Sequence, residues 1–234
     1  MVGSGSLGSA DRSGTDSERI ASVRWSDNSG CEAFVIEFSN DQGVPAVTPP
    51  SVSAAMLRDV GVLRVELAVT ETGISDQLVE TVLVDRIFVV RDQTGSLFVD
   101  FHLDESAVAR MITGTSPARI EIELESGGLA YGGRPAIETN VVLVRPQPGL
   151  VAYPLTISGY ARTFEANVVA RLRDGDVRVA EAFTTAADWL ETWGAFEMEI
   201  ATGPAGGLSL FVGEETPEAG FPSGVTIGLD VEDS

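Results

Sequence analysis

A lone His102 and a lone Cys31 restrict the chemistry open to this 234-residue chain. A Ser-His-Asp or Cys-His mechanism would have to take His102 as its base. One Cys makes no internal disulfide and no Cys-rich zinc site. His102 stands between Asp100 and Asp104, and at strand spacing such neighbours lie about 6–7 Å apart. Two of the three could meet one metal ion. A metal centre normally draws ligands from several segments, so the simpler expectation is a solvated polar face with a locally stabilised imidazolium. Asp174-Gly175-Asp176, Glu214-Glu215 and Asp230-Val231-Glu232-Asp233 offer oxygens of the kind Ca²⁺ takes. Only the first has turn character, and it is too short for a Ca²⁺ loop. There is no Gly-rich phosphate loop. No catalytic, cofactor-binding or metal residue is assigned, and no cofactor is expected.

Contacts to a ligand are a different matter. Trp189 and Trp193 flank Leu190-Glu191-Thr192. Aromatic faces are platforms for sugar rings, and a loop between strands can expose them. Phe164 to Asp174 alternates, with Phe164, Ala166, Val168, Ala170 and Leu172 on one face and Glu165, Asn167, Val169, Arg171 and Arg173 on the other. This predicts a buried Phe164. It makes Glu165 and Asn167 either ligand groups or members of outer-face charge pairs with the two arginines. Trp189, Glu165 and Asn167 are the candidate ligand-binding residues.

The elements that must carry these side chains read as strands. In the first half, Ile20, Ser22 and Arg24 alternate with Ala21, Val23 and Trp25. Phe34, Ile36 and Phe38 alternate with Val35 and Glu37. Leu63, Val65, Leu67 and Val69 share a face opposite Arg64 and Glu66. Leu97, Val99, Phe101 and Leu103 share one opposite Phe98, Asp100, His102 and Asp104. Ile120, Ile122 and Leu124 alternate with Arg119, Glu121 and Glu123. Period two in β-branched and aromatic residues means half-buried strands. Thr81 to Val90 is nearly continuous apolar and reads as a more central strand. Asp104 can cap a short helix reaching Ile112, with Ala107, Val108, Met111 and Ile112 at helical spacing.

Residues 1–18 are Gly, Ser and acid, which predicts a flexible leader without the apolar stretch of a signal peptide. Ser29-Gly30-Cys31 superficially matches the end of a lipoprotein cleavage site, but no hydrophobic segment precedes it. The Gly-rich 127–138 stretch predicts a junction between a domain at 19–126 and another at 139–234. The second domain has short strands punctuated by Pro148-Gly149, Asp174-Gly175-Asp176, Gly206-Gly207 and Pro222-Ser223-Gly224. The expected fold class is all-β: two β-sandwich-like domains in tandem, with one short helix in the first.

Charge narrows the partners. There are 15 basic residues, every one Arg, against 35 acids, for a net charge of -20. Residues 1–130 hold 9 Arg and 20 acids, and 131–234 hold 6 and 15, which is -11 and -9. A nucleic-acid partner is excluded for want of a basic cluster. No apolar run reaches the roughly 20 residues of a spanning helix.

The C-terminal half resembles a known family. Pro148-Gly149, Pro154-Leu155-Thr156-Ile157-Ser158-Gly159, Ala161, Phe164-Glu165-Ala166-Asn167-Val168, Trp193-Gly194 and Phe196 look like the immunoglobulin-like domain of bacterial spore germination, the Gmad family. The resemblance implies an immunoglobulin-like sandwich in a bacterial cell envelope, with Trp193 in its core, and no catalytic residue. The N-terminal half resembles the AMIN-like domain through Phe34–Phe38, Leu97–Leu103 and Ser116-Pro117-Ala118-Arg119 with the strand to Leu124. AMIN-type domains are β-rich envelope modules.

Two functions follow as expectations. One is a non-catalytic extracytoplasmic envelope module, secreted or at the cell surface, that binds peptidoglycan, a surface glycan or an envelope protein and is linked to sporulation or germination. The alternative is a glycan hydrolase using two carboxylates as acid and base. No acid pair sits in an aromatic-rich segment, which favours the first.

Overall fold

Alternation of apolar and polar side chains builds the strands, and pairing across strands decides which of them extend. The computed structural model describes residues 1–28, 30–214 and 223–232. Two units divide the chain, Met1–Arg134 and Pro135–Ser234, the division falling inside 127–138.

The first unit contains β1 (Gly5–Ala10), β2 (Arg19–Asn28), β3 (Cys31–Ser39), β4 (Val52–Leu57), β5 (Val62–Leu67), β6 (Glu71–Thr72), β7 (Asp76–Leu78), β8 (Val84–Arg91), β9 (Leu97–Leu103), β10 (Ala107–Gly114) and β11 (Arg119–Ser126). One sheet runs β1-β4-β5-β9-β8, with β7 also on β8, and the other runs β10-β11-β3-β2-β6. Phe34, Ile36, Ile120 and Ile122 from one sheet pack with Val65, Val99 and Phe101 from the other. Phe34 meets Phe101 edge to face at 5.2 Å, a favourable aromatic geometry.

The second unit contains β12 (Ala136–Glu138), β13 (Val141–Arg145), β14 (Gly149–Val151), β15 (Leu155–Ala161), β16 (Asn167–Asp174), β17 (Val177–Thr185), β18 (Trp193–Ile200), β19 (Gly206–Glu214) and β20 (Ser223–Val231). Its strands pair as β18-β15-β13-β12 and as β14-β20-β19-β16-β17. Ile157, Phe196 and Met198 from the first set share a core with Val168, Leu172, Leu210 and Ile227 from the second. The all-β sandwich class is what the sequence predicts.

Four details differ from expectation. The segment from Asp104 to Ile112 is no helix: β10 pairs with β11 from Ala107↔Ser126 to Gly114↔Arg119. A complete ladder, with β-branched Val108, Ile112 and Thr113 in it, outweighs helical spacing. Residues 5–10 of the expected leader form β1, paired with β4 from Gly5↔Met56 to Ala10↔Val52. Pairing through the backbone asks nothing of Gly and Ser side chains. Behind β1, the Asp16 carboxylate accepts the N–H groups of Val47 at 2.9 Å and Thr48 at 2.8 Å. Those bonds, Thr48 foremost, hold its pKa below the usual carboxylate range. In β2 the register shifts between Ile20 and Ser22. Ala21 is the extra residue, so Ile20 and Val23 both reach the core. The strand expected at Thr81 to Val90 begins only at Val84, because Thr81 belongs to a turn.

That turn is held by a buried acid. Glu32, 2% exposed, lies on the inward face of β3. Its carboxylate accepts the Leu83 N–H at 2.8 Å and the Thr81 hydroxyl at 2.6 Å. Removing it strands the buried Leu83 N–H and leaves the Thr81 hydroxyl only the Val84 carbonyl, at 3.0 Å. Glu32→Ala is expected to lower stability by about 2–3 kcal/mol in urea unfolding. A change under about 0.5 kcal/mol, typical of a surface site, would contradict this role.

Candidate functional site

The three potential metal ligands, Asp100 and His102 on β9 and Asp104 just past its end, part company in the fold. Arg64 takes Asp100 in a two-pronged pair, Nε to Oδ1 and Nη2 to Oδ2, each at 2.8 Å. Arg134 takes Asp104 at 2.7 Å, on the rim of an open recess that Tyr131 also lines. His102 is 5% exposed and packs against Phe88, ring centres 4.8 Å apart. The expected solvated imidazolium is therefore corrected. Burial, aided by Arg86 and Arg64, pushes the His102 pKa down to about 3, and the ring is neutral at pH 7. Among the described residues no three His, Cys, Asp or Glu side chains gather as a metal site.

The acid clusters also take up structural places. Asp174 and Asp176 stand at the β16–β17 hairpin tip. Glu214 accepts the Phe164 N–H at 2.7 Å. Glu215, Asp233, Ser29 and Pro222 lie outside the described residues. Cys31 opens β3, half-buried, where burial raises its thiol pKa.

The ligand candidates collect at one end of the second unit. β16 starts at Asn167, not at Phe164, because Phe164–Ala166 form a 3-10 turn. Glu165 and Ala166 sit at φ 52° and 59°, a left-handed conformation that costs non-Gly residues about 1–2 kcal/mol each. Alternation fails across such a turn. Ala166 still points inward, while Phe164 is 62% exposed, which corrects its expected burial. Backbone bonds lock the turn: Ala166 N–H to the Thr163 carbonyl at 3.0 Å, and Ala186 N–H to the Ala166 carbonyl at 2.9 Å.

The exposed Phe164 ring meets Trp189 edge to face at 5.6 Å. Trp189 is half-buried, packed partly on the core, and Leu190 beside it is exposed. Asp188 Oδ1 accepts three consecutive N–H groups, from Trp189 at 2.6 Å, Leu190 at 2.9 Å and Glu191 at 3.2 Å. One carboxylate oxygen thus organises the Trp-bearing loop. Glu165 and Asn167 are both exposed on either side of Ala166, so the turn brings all three candidates next to Phe164 or its partner. Alternation gave no sign of Phe164 as a surface residue. Glu165 does not pair with the strand arginines as considered above: Glu181 takes Arg171 at 2.8 Å and also Arg178. The Arg171 bond, first among the causes, holds the Glu181 pKa low.

Residues 140–220 match the family described as the immunoglobulin-like domain of bacterial spore germination. No curated protein and no solved structure matches the chain. The AMIN-like kinship of the first half is not shown by these comparisons. Inside the matched domain, Gly159 and Gly194 have physical reasons. A Cβ at Gly159 would lie 2.0 Å from the Val142 carbonyl oxygen, and one at Gly194 would lie 2.1 Å from the Asp188 nitrogen. Trp193 is buried and meets Tyr160 edge to face at 6.1 Å, as the resemblance implied.

Two outcomes test this geometry. Phe164→Ala should cost less than about 1 kcal/mol in chemical denaturation, the scale of a surface substitution. A loss of several kcal/mol would return the ring to the core. For His102, the unfolded imidazole titrates near 6.5 and the folded one near 3. Its contribution to stability is intact above pH 6.5 and is lost as pH falls toward 3, because the unfolded chain binds the proton first. Between pH 7 and 4.5 this removes about 2–3 kcal/mol. His102→Gln should show a shallower acid decline than the parent, and an identical slope would contradict a buried neutral ring.

Proposed function

We propose that the chain is a non-catalytic extracytoplasmic module of a bacterial cell envelope. In this reading it binds peptidoglycan, a surface glycan or an envelope protein in a process linked to sporulation or germination. The observation that carries the reading is the match of residues 140–220 to the germination-associated immunoglobulin-like domain. The first unit, an AMIN-like domain in this reading, serves as its companion module. No helix among the described residues is long and apolar enough to cross a membrane.

The contact surface in this proposal is the turn and loop bearing Phe164 and Trp189, with Glu165 and Asn167 as polar neighbours. The exposed Phe164 ring, with half-buried Trp189 against it, on a strained, well-anchored turn supports it, since strain persists where surrounding bonds over-determine the conformation. Net charge opposes long-range attraction to anionic polymers, with a range of about 8–10 Å at ordinary salt. Contact at this end is accordingly short-range, by stacking and hydrogen bonds.

The test is a pull-down with purified cell-wall sacculi, with and without Ca²⁺ and at two salt concentrations. Phe164→Ala and Trp189→Ala should each raise the apparent Kd about tenfold, the equivalent of about 1.4 kcal/mol. Phe164→Ala should do so without moving the unfolding midpoint. Retention of full binding by both variants would remove the turn from the proposal. A parent protein that ignores sacculi under all conditions would overturn the glycan reading and leave the envelope-protein one.

A further inference from the structure

β17 is the last strand of the β14-β20-β19-β16-β17 sheet, with β16 as its neighbour. An edge strand presents unpaired N–H and C=O groups, and proteins guard such edges with charges, prolines or bulges. On β17 the guard covers half the strand. Arg178 is exposed, and Val179 is an extra residue between the Arg173↔Arg178 and Leu172↔Ala180 pairs, a bulge of the kind that bends a strand. From Ala180 to Thr185 there is no proline, no arginine and no register shift. Ala180 and Ala182 pack on the core yet are only half-buried. Phe183 lies opposite Val169, on the outward face, and is 68% exposed.

The ladder fixes which backbone groups face the edge. The Ala186 N–H donates to the Ala166 carbonyl, one step beyond the Asn167↔Thr185 pair. Hydrogen-bonded pairs alternate along an antiparallel ladder. Thr184 and Ala182 therefore turn their N–H and C=O groups toward β16, and Phe183 and Glu181 turn theirs to the open side. A second copy of the same strand, rotated about a two-fold axis at Phe183, meets these groups with its own. We infer that two copies of this chain associate edge to edge through β17, antiparallel, with Phe183 opposite Phe183.

Side-chain chemistry selects the second copy and its register. At the axis the two Phe183 residues exchange both main-chain bonds, and their rings form a cross-strand aromatic pair. Small Ala182 faces Thr184, and Glu181 faces Thr185. Centring the axis on Glu181 would set two carboxylates face to face, and centring it on Ala182 would set each Glu181 against a Phe183 ring. Only the ring-to-ring register opposes no like charges and covers both rings. Glu181 stays held by Arg171 and Arg178 of its own chain. A net charge of -20 on each copy opposes their approach, but over no more than about 8–10 Å at ordinary salt. The seam is short and falls below the roughly 1,200 Å² of a stable interface, so the dimer forms at high local concentration. The two aromatic turns then flank the axis, each about 10 Å along the strand from it. The pairing does not depend on what the domain binds.

Sedimentation equilibrium of the full chain tests this, from about 10 μM to about 1 mM and at low and high salt. The dimer fraction should rise with concentration and rise again with salt, as screening relieves the repulsion between copies. Phe183→Asp sets two carboxylates at the axis and should weaken association at least tenfold with the unfolding midpoint unchanged, whereas Trp189→Ala should leave association as it is. Register is read by cross-linking. With Cys31 replaced by Ala, Phe183→Cys should oxidise to a disulfide-linked dimer, because the Cα atoms of a hydrogen-bonded pair lie about 5.5 Å apart, within disulfide reach. Val177→Cys, equally exposed on the same strand but outside the seam, should cross-link far more slowly. A chain that stays monomeric at every concentration and salt overturns the inference and leaves the edge to an extended segment of another protein. A dimer that survives Phe183→Asp, or equal cross-linking through Val177→Cys, overturns it as well.

Discussion

Every strand of a sandwich sends alternate side chains inward, so each core here depends on its strands keeping count. One extra residue reverses the faces of everything that follows. The chain uses this at set points. The shift at Ala21 lets Ile20 and Val23 both enter the first core. The shift between Val84 and Arg86 lets Val84 and Ile87 do the same in β8. The shift between Leu172 and Arg173 leaves Leu172 inward and sets two arginines face to face outside. Core and surface are thus decided by the same few irregular positions.

The excess of acid has a structural use. With 35 carboxylates and 15 arginines, most acids lack a cation to pair with. Several take backbone N–H groups as partners instead. Asp16 holds Val47 and Thr48, Glu32 holds Leu83, Asp92 holds Thr94 and Ser96, Asp188 holds three successive residues, and Glu214 holds Phe164. Several loops are thus organised by single carboxylates, a use of Asx-type bonding that turn residues favour. Several arginines pair with acids on neighbouring strands, as in Arg64 with Asp100, Arg24 with Glu37 and Arg110 with Glu123.

Strands with strict alternation, such as β3, β5, β9 and β11, could be read directly from residue types. So could the β16–β17 hairpin at Asp174-Gly175-Asp176. Three things could not. β1 exists because β4 offers it an edge, and nothing in a Gly–Ser segment announces a distant partner. The 104–112 segment carries a cap and helical spacing, and only the ladder with β11 settles it. At the candidate site, Trp189, Glu165 and Asn167 were legible as polar or aromatic residues near a loop. Phe164 was not, since its exposure follows from the left-handed turn at Glu165 and Ala166, and neither residue type signals positive φ. His102 shows a different limit: the sequence places it opposite the core face, yet both faces of β9 are buried.

The loop after Asp188 has one more implication. Its path is set by one aspartate oxygen, the close approach of Gly194 and the partial packing of Trp189 on the core, not by the exposed side chain at 190. Backbone shape and displayed chemistry are therefore carried by different residues. Such a loop behaves as a mount with an exchangeable head: substitutions at 190 can retune what the domain displays while the scaffold stays fixed. Divergence among domains built this way would concentrate at the displayed positions, with Asp188 and Gly194 held constant beneath them.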